Sequence, residues 1–391
     1  MADAALPVLV IGAGPAGLAT AAELTRRRLP FRLLERGPSL GSTWENLYDS
    51  LVLHTGRHLS TLPGRSYASG TPLFPSRQHF LRYLREYARA FSIAVEVDRD
   101  VVALRRSSRG WCATLGDGTL VEAGSVVVAT GIVANPRTPD IPGRELFRGH
   151  VLHSVDYRRA DPFLGQRVLV VGVGNSGGEI GSELARAGVD VTMLVRSGAN
   201  VVPLTIAGIP IQYLSSVVRT LPRPAQEWVV RQVQRISERR RGAPVFPRPA
   251  HSSLDEIPLI GFHLVDAIKS GIAKVKLAGL ARFTAEGVCF TDASEAPFDT
   301  VIFATGFAPA LSALGARIRT DARGFALRSD RVTSCDQPGL YFVGHNYDSS
   351  GGLSNIRRDA PIAAAHIADC RVVAARMRCN REAAVKAAVN R

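Results

Sequence analysis

The sequence predicts an α/β protein in which one βαβ-built domain is inserted into another. Three observations lead there. An apolar run, a glycine turn and a stretch of helical apolar spacing follow one another twice, with turn glycines at 12 and 172. A further apolar run closes each copy. Two late apolar runs then return the chain to the first unit.

The elements read in order. Leu6 to Ile11 is a strand ending at Gly12, and Pro15 to Arg28 is a helix with apolar positions at Leu18, Ala21, Ala22 and Leu24. Phe31 to Leu34 is the next strand. Pro136, Pro139 and Pro142 mark Asn135 to Gly143 as a loop leaving the first domain. Arg167 to Val171 is a strand, Gly172 to Gly177 a turn, Gly178 to Ala187 a helix and Val189 to Val195 a strand. Val126 to Ala129 and Thr300 to Ala304 are apolar strands, each followed by Thr-Gly. Leu340 to Val343 ends at Gly344, and an Ala-rich helix begins about Asp359. The expected boundaries are 1–155 and 300–391 for the first domain and 156–299 for the second. An irregular, partly helical insertion is expected at about 203–255. Its mixture of apolar residues with Arg223, Arg231, Arg235, Arg239, Arg240 and Arg241 reads as a helix over a substrate entrance with a solvated arginine face. A basic helix lying on a membrane surface is the alternative.

Composition excludes several classes. With 46% hydrophobic and 21% charged residues in 391, the chain can bury a large core. The net charge of +14 comes from 48 basic residues, of which all but Lys269, Lys274, Lys276 and Lys386 are arginine. So one-sided a choice reads as codon bias, and no nucleic-acid partner is expected. Five cysteines without a C-x-x-C pair argue against a disulfide scaffold, a zinc ribbon and a dithiol redox enzyme. The nine histidines lack metal-ligand spacing, so no metal is expected. No apolar run approaches the roughly 20 residues that span a bilayer, so no transmembrane segment is expected. Leu6 to Ala16 lacks a basic flank and reads as a strand, not a signal peptide. The default compartment is the cytoplasm.

Gly12-x-Gly14-x-x-Gly17 follows a strand and opens a helix. The first glycine allows the tight turn, the second lets backbone approach a pyrophosphate, and the third lets helix pack on strand. Phosphates would sit at the helix N-terminus. Glu35 lies 18 residues beyond Gly17, where a carboxylate accepts hydrogen bonds from ribose hydroxyls. Gly172-x-Gly174-x-x-Gly177 repeats the pattern, but the same count reaches Val195, followed by Arg196 and Ser197. A guanidinium pairs with a ribose 2′-phosphate that a carboxylate would repel. The two Rossmann-like dinucleotide-binding domains are therefore expected to hold FAD or NAD first and NADPH second. Electrons would pass from nicotinamide to flavin, with dioxygen, a quinone or a small oxidant as the open choices of acceptor.

Phe147-x-Gly149-x-x-x-His153-x-x-x-Tyr157 stands just before the second glycine motif. This spacing resembles the fingerprint of the flavin-containing monooxygenases (class B flavoprotein monooxygenases). The resemblance extends over most of the chain, through both glycine motifs, Thr43-Trp44, Ala129-Thr130-Gly131 and Ala304-Thr305-Gly306-Phe307. Trp44 to Tyr87, with Leu51-Val52-Leu53-His54, Leu62-Pro63 and Phe80-Leu81-x-Tyr83-Leu84, is most similar to the plant YUCCA-type branch and its bacterial relatives. Gly174-Asn175-Ser176-Gly177 fits that branch too.

The resemblance implies FAD and NADPH as cofactors. It implies a C4a-(hydro)peroxyflavin formed with O2, and one oxygen inserted into a small organic substrate. YUCCA-like decarboxylative oxygenation of an aryl-pyruvate, S- or N-oxygenation, and Baeyer–Villiger oxidation all remain open within it. Outside it stand an NADPH-dependent flavoprotein reducing a quinone or O2 without oxygenation, and a non-enzymatic nucleotide-sensing flavoprotein. A departure matters: where animal-type members carry Asn at the flavin edge, this chain has His54 or Thr55. His54, Thr55 and Arg57 are placed there, with Arg57 a candidate for a substrate carboxylate. No residue is assigned as catalytic acid or base, His153 and Tyr157 included. The expected cofactor-binding residues are Gly12, Gly14, Pro15, Ala16, Gly17, Glu35, Arg36, Thr43, Trp44, His54, Thr130, Gly131, Gly172, Gly174, Asn175, Ser176, Gly177, Arg196, Ser197, Thr305, Gly306, Gly344 and Leu353. The N-terminus of the last helix would face the flavin pyrimidine and stabilise its reduced, anionic form. The arginine-bearing tail from Arg371 reads as solvated. Partners are a small-molecule substrate and O2; a homodimer is an open expectation.

Overall fold

The structure, a computed structural model, describes residues 5–133, 135–249, 257–348 and 350–389. Two parallel sheets organise it. In the first, Val8–Ile11 runs between Phe31–Leu34 and Ser125–Val128, and Leu340–Phe342 adds the far edge. These strands are continuous apolar runs because both faces are covered. Val8 and Val10 pack among the residues of Pro15–Arg26 and of the long C-terminal helix Gly352–Val389. Leu9 and Ile11 point the opposite way, onto Trp111, Ala113 and Val121 of the antiparallel sheet Val101–Ser107, Gly110–Leu115 and Leu120–Ala123.

The second half repeats the plan. Its five parallel strands run in the order Ala273–Leu277, Asp190–Val195, Arg167–Val171, Thr300–Phe303, His150–His153. Val168 and Val170 face the helical side, with Ile180 and Leu184 of Asn175–Arg186. Leu169 turns to the small antiparallel sheet Leu280–Phe283, Gly287–Phe290 and Glu295–Pro297.

Several expectations shift. A division at 155/156 and 299/300 cuts through this sheet: Thr300–Phe303 pairs with Arg167–Val171 on one side and His150–His153 on the other. An apolar run tells that a strand is buried, not in which sheet. The second helix starts at Asn175, not Gly178, and the last at Gly352, not near Asp359. Arg371 is not solvated: its guanidinium donates to the Leu6 carbonyl at 2.5 Å. Side chains beyond 373, and residues 250–255 of the expected insertion, lie outside the described residues.

The two connections between the halves pair with each other. Arg137 N–H donates to Gly306 O and Ala308 N–H to Asn135 O, each near 3 Å, and Pro136 bridges Phe307. No helix among the described residues is long and apolar enough to cross a membrane.

Candidate active site

Both glycine turns are built alike. Gly12 has φ of +101° and Gly172 of +105°, and a Cβ on either would lie 2.7 Å from the carbonyl oxygen of Ala129 or Ala304. A Cβ on Gly17 would overlap Gly12 O, and one on Gly177 would overlap Gly172 O, so both helices press against their own turns. Gly14 and Gly174 differ from these: a Cβ on either would meet nothing within 4 Å. Each is the residue preceding its helix, and neither helix has a side-chain cap or an acid in its first turn. The unpaired N–H groups of each first turn therefore face open space, which suits a pyrophosphate.

The turns part company at the second strand. Leu34 pairs with Ile11, and the next residue, Glu35, takes Ala13 N–H at 2.8 Å and Gly37 N–H at 2.9 Å on its two carboxylate oxygens. In the second half Leu194 pairs with Val171, so Val195 occupies the register of Glu35 and Arg196 follows. Among the described residues Arg196 forms no hydrogen bond or ion pair, and Ser197 beside it is exposed. The first cradle thus carries a carboxylate fixed by backbone N–H groups, and the second an exposed guanidinium without a partner among the described residues.

Other elements converge on the first cradle. Gly41 N–H donates to Ala13 O at 3.1 Å and brings the short helix Ser42–Glu45 against the turn, where Trp44 meets Phe80 edge-on at 4.5 Å. Thr43 is half-buried and Arg36 exposed. Gly344 comes so close to Ala16 that a Cβ would sit 3.2 Å from the Ala16 methyl. Leu353 is buried in the first turn of the last helix, and a Cβ on Gly351 would lie 3.2 Å from Thr55 Cγ2. The 54–61 loop and the last helix N-terminus therefore meet.

That loop is tied on every side. Thr55 Oγ1 and Ser60 Oγ share a 2.5 Å hydrogen bond, and Arg57 donates to the Thr71 carbonyl. Arg357 of the last helix donates to His58 O and Thr61 Oγ1, both at 3.1 Å. Helix Ile211–Val218 of the insertion crosses here: Tyr213 OH is 3.1 Å from His58 Nδ1 and packs on Gly56. His54 pairs with Glu179 of the second half. The insertion's first helix is therefore a cover over the loop. Its second helix, Arg223–Arg241, buries none of its residues, and its arginine face is solvated as expected.

Some expected binders have other bonds. Thr130 Oγ1 donates to Ala310 O at 2.9 Å and Thr305 Oγ1 to Arg137 O at 2.5 Å, so each hydroxyl ties its connection to the opposite one. Gly131 and Gly306 turn the chain there with positive φ. Asn175 spans from Pro258 O at 3.2 Å to Ile260 N–H at 2.9 Å, while Ser176 remains half-buried beside it. His153 accepts Val155 N–H on Nδ1 at 3.2 Å and so donates from Nε2 to Gly306 O at 3.1 Å; burial lowers its pKa and keeps it neutral. Phe147 packs on Phe283 and Tyr157 is buried against Phe163. The Phe147–Tyr157 motif is thus held by packing within the second half and by the bond of His153 to the Gly306 connection.

Sequence reasoning missed two constellations. Tyr48 and His54 both reach Glu179 across the seam. Fully buried Asp359 accepts from Arg331 at 2.7 Å and Asn346 at 2.6 Å, and Asn355 accepts from Arg331 at 2.9 Å, fixing the loop after Gly344. Burial raises the Asp359 pKa, opposed by those donors. Asn355 and Asp359 at i, i+4 on an otherwise apolar helix face were the available clue.

Comparison with known proteins agrees with this geometry. The profile of the pyridine nucleotide-disulphide oxidoreductase family matches residues 9–286. Indole-3-pyruvate monooxygenase YUCCA1 of Oryza sativa subsp. japonica is 35% identical over 310 residues, 76% of this chain and 76% of that protein. Indole-3-pyruvate monooxygenase YUCCA4 of the same plant is 31% identical over 378 residues, 90% of this chain and 85% of its own. A flavin-containing monooxygenase from Stenotrophomonas maltophilia superposes with a TM-score of 0.73 at 24% identity, over 93% of this chain and 98% of that one. Cyclohexanone monooxygenase from Rhodococcus sp. Phi1 bound to NADP+ gives 0.72 at 18%, over 94% and 85%. The chain belongs to the flavin-containing monooxygenase family, on the side of its YUCCA-like branch. It is a flavin-dependent monooxygenase that uses FAD and NADPH.

Proposed function

We propose that the substrate is an aryl-substituted 2-oxo acid, oxygenated at its carbonyl carbon with loss of the carboxyl group. One oxygen of O2 enters the new carboxylate, the other leaves as water, the substrate carboxyl leaves as CO2, and NADPH supplies two electrons. The observation that carries this reading is the loop at 54–61, where Arg57 and Arg357 stand with the aromatic ring of Tyr213. A guanidinium has five N–H donors, so the carbonyl bonds described leave others for a carboxylate. The YUCCA relatives named for indole-3-pyruvate support the same choice.

Bound FAD and NADPH supply hydride transfer and oxygen activation. This chain's work is to hold and shield. Gly14 and Gly174 open the two phosphate cradles. Glu35 takes the ribose of the flavin nucleotide, and Arg196 with Ser197 the 2′-phosphate of the reductant. Helix Ile211–Val218 lies over the 54–61 loop and limits entry of water, which such chemistry requires more than it requires an acid–base pair.

The test is turnover of the purified flavoprotein with NADPH, O2 and indole-3-pyruvate or phenylpyruvate. The expected result is arylacetate and CO2 in proportion to NADPH consumed. Stoichiometric hydrogen peroxide with no organic product would overturn the reading and favour simple reduction of O2.

A further inference from the structure

We propose that Glu179 is a positioning residue: a latch that fixes the angle between the two nucleotide-binding halves and so sets the reach of the nicotinamide to the flavin. The proposal rests on the two-cofactor chemistry and not on which substrate is oxygenated.

Glu179 lies on helix Asn175–Arg186, one turn beyond the residues that open the second phosphate cradle. Its two carboxylate oxygens take two donors from one segment of the other half, Tyr48 Oη–H and His54 Nε2–H. One turn further along, Glu183 accepts Ser50 Oγ–H at 2.6 Å. Beneath them, Asp49 N–H donates to Arg158 O at 2.9 Å, and the Tyr48 ring lies 6.4 Å from that of Tyr157. Three side chains spaced along Tyr48 to His54 therefore grip one face of the helix that carries the second cradle. Tyr48 is 5% exposed, and burial with the nearby Glu179 and Glu183 carboxylates raises its pKa well above the usual phenol range, so it remains a donor.

Hydride transfer needs the donating nicotinamide carbon and the accepting flavin nitrogen within about 3–3.5 Å, and a displacement of about 1 Å can cost about 100-fold in rate. The paired connections at 135–137 and 306–308 form a two-stranded joint, about which the halves would rotate. The grip at Glu179 opposes that rotation. A cavity of about 160 Å³ lined by Leu53, His54, Gly178, Glu179 and His263 opens along the same seam, so a slip there would meet little packing resistance.

The experiment is anaerobic rapid mixing of holoenzyme with NADPH, reading loss of flavin absorbance. Glu179→Ala is expected to lower the limiting reduction rate by about 10- to 100-fold while the apparent Kd for NADPH changes little, since the cradle and Arg196 are untouched. Glu179→Gln keeps one acceptor and is expected to recover part of the rate. Tyr48→Phe is expected to slow reduction alone but to add nothing in the Glu179→Ala background, because the bond it removes is already gone. If Glu179→Ala does not fold, Glu179→Gln and Tyr48→Phe with their double variant carry the same cycle. Wild-type rates in the single variants, additive losses in the double variant, or a raised Kd with an unchanged limiting rate would each overturn the latch. Neither O2 nor an organic substrate enters this measurement, so failure of the aryl-pyruvate reading leaves it standing.

Discussion

The two glycine cradles are near copies that differ in one register position. Backbone φ at the first glycine, the carbonyl that a Cβ would strike, and the helix pressed on its own turn agree between them. The residue after the paired Leu does not: Glu35 is anchored by two backbone N–H groups, while Val195 at the equivalent place is followed by an exposed Arg196 with no bond among the described residues. In the proposed reading one fold element takes two unlike nucleotides through a change at the end of one strand, with phosphate binding assigned to the turn and discrimination to the strand that follows.

The comparison can be broken or sharpened by substitution, from the largest effect to the smallest. Gly14→Val should fold, since nothing in the protein lies within 4 Å of the added Cβ, but its side chain fills the pyrophosphate space and the protein should purify colourless. Gly174→Val should fold equally, keep its yellow flavin, and fail to be reduced by NADPH. Flavin loss in the second variant, or its retention in the first, as read by the visible spectrum, would undo the assignment of cradles. Gly17→Ala places a methyl onto Gly12 O and should cost about 3 kcal/mol of stability, with Gly177→Ala somewhat less, measured by denaturant unfolding. Equal and negligible losses would show that the turns relax more than their geometry allows. Arg196→Ala should raise KM for NADPH by about 10- to 100-fold, about 1.5–3 kcal/mol, and leave NADH unaffected. Thr130→Val removes the bond to Ala310 O and should lower stability by about 1 kcal/mol without altering nucleotide preference.

Much of this was legible before any coordinates. Buried parallel strands are continuous apolar runs, and the spacing from Gly17 to Glu35 and from Gly177 to Val195 already separated the two cradles. What failed has physical causes. Thr300–Phe303 was placed with the wrong sheet because hydrophobicity records burial and not hydrogen-bond partners. Both helix starts were set too late, since Gly-Asn-Ser-Gly and Gly-Gly-Leu-Ser read as turns although tertiary packing carries them into helix. The Tyr48–His54–Glu179 grip was invisible because Glu179 lies 125 or more positions from both Tyr48 and His54. The joint formed by Thr130, Thr305 and His153 was hidden likewise, and the sequence offered Thr130 and Thr305 only as cofactor-binding residues.

The most direct measurement is anaerobic titration of the purified yellow protein with NADPH and, in parallel, NADH, for the wild type and Arg196→Ala. We expect wild-type flavin to be bleached by one equivalent of NADPH at concentrations where NADH does little, and the substitution to erase that difference. Equal bleaching of the wild type by both nucleotides, or an unaltered preference in Arg196→Ala, would contradict a second cradle built for a phosphorylated ribose.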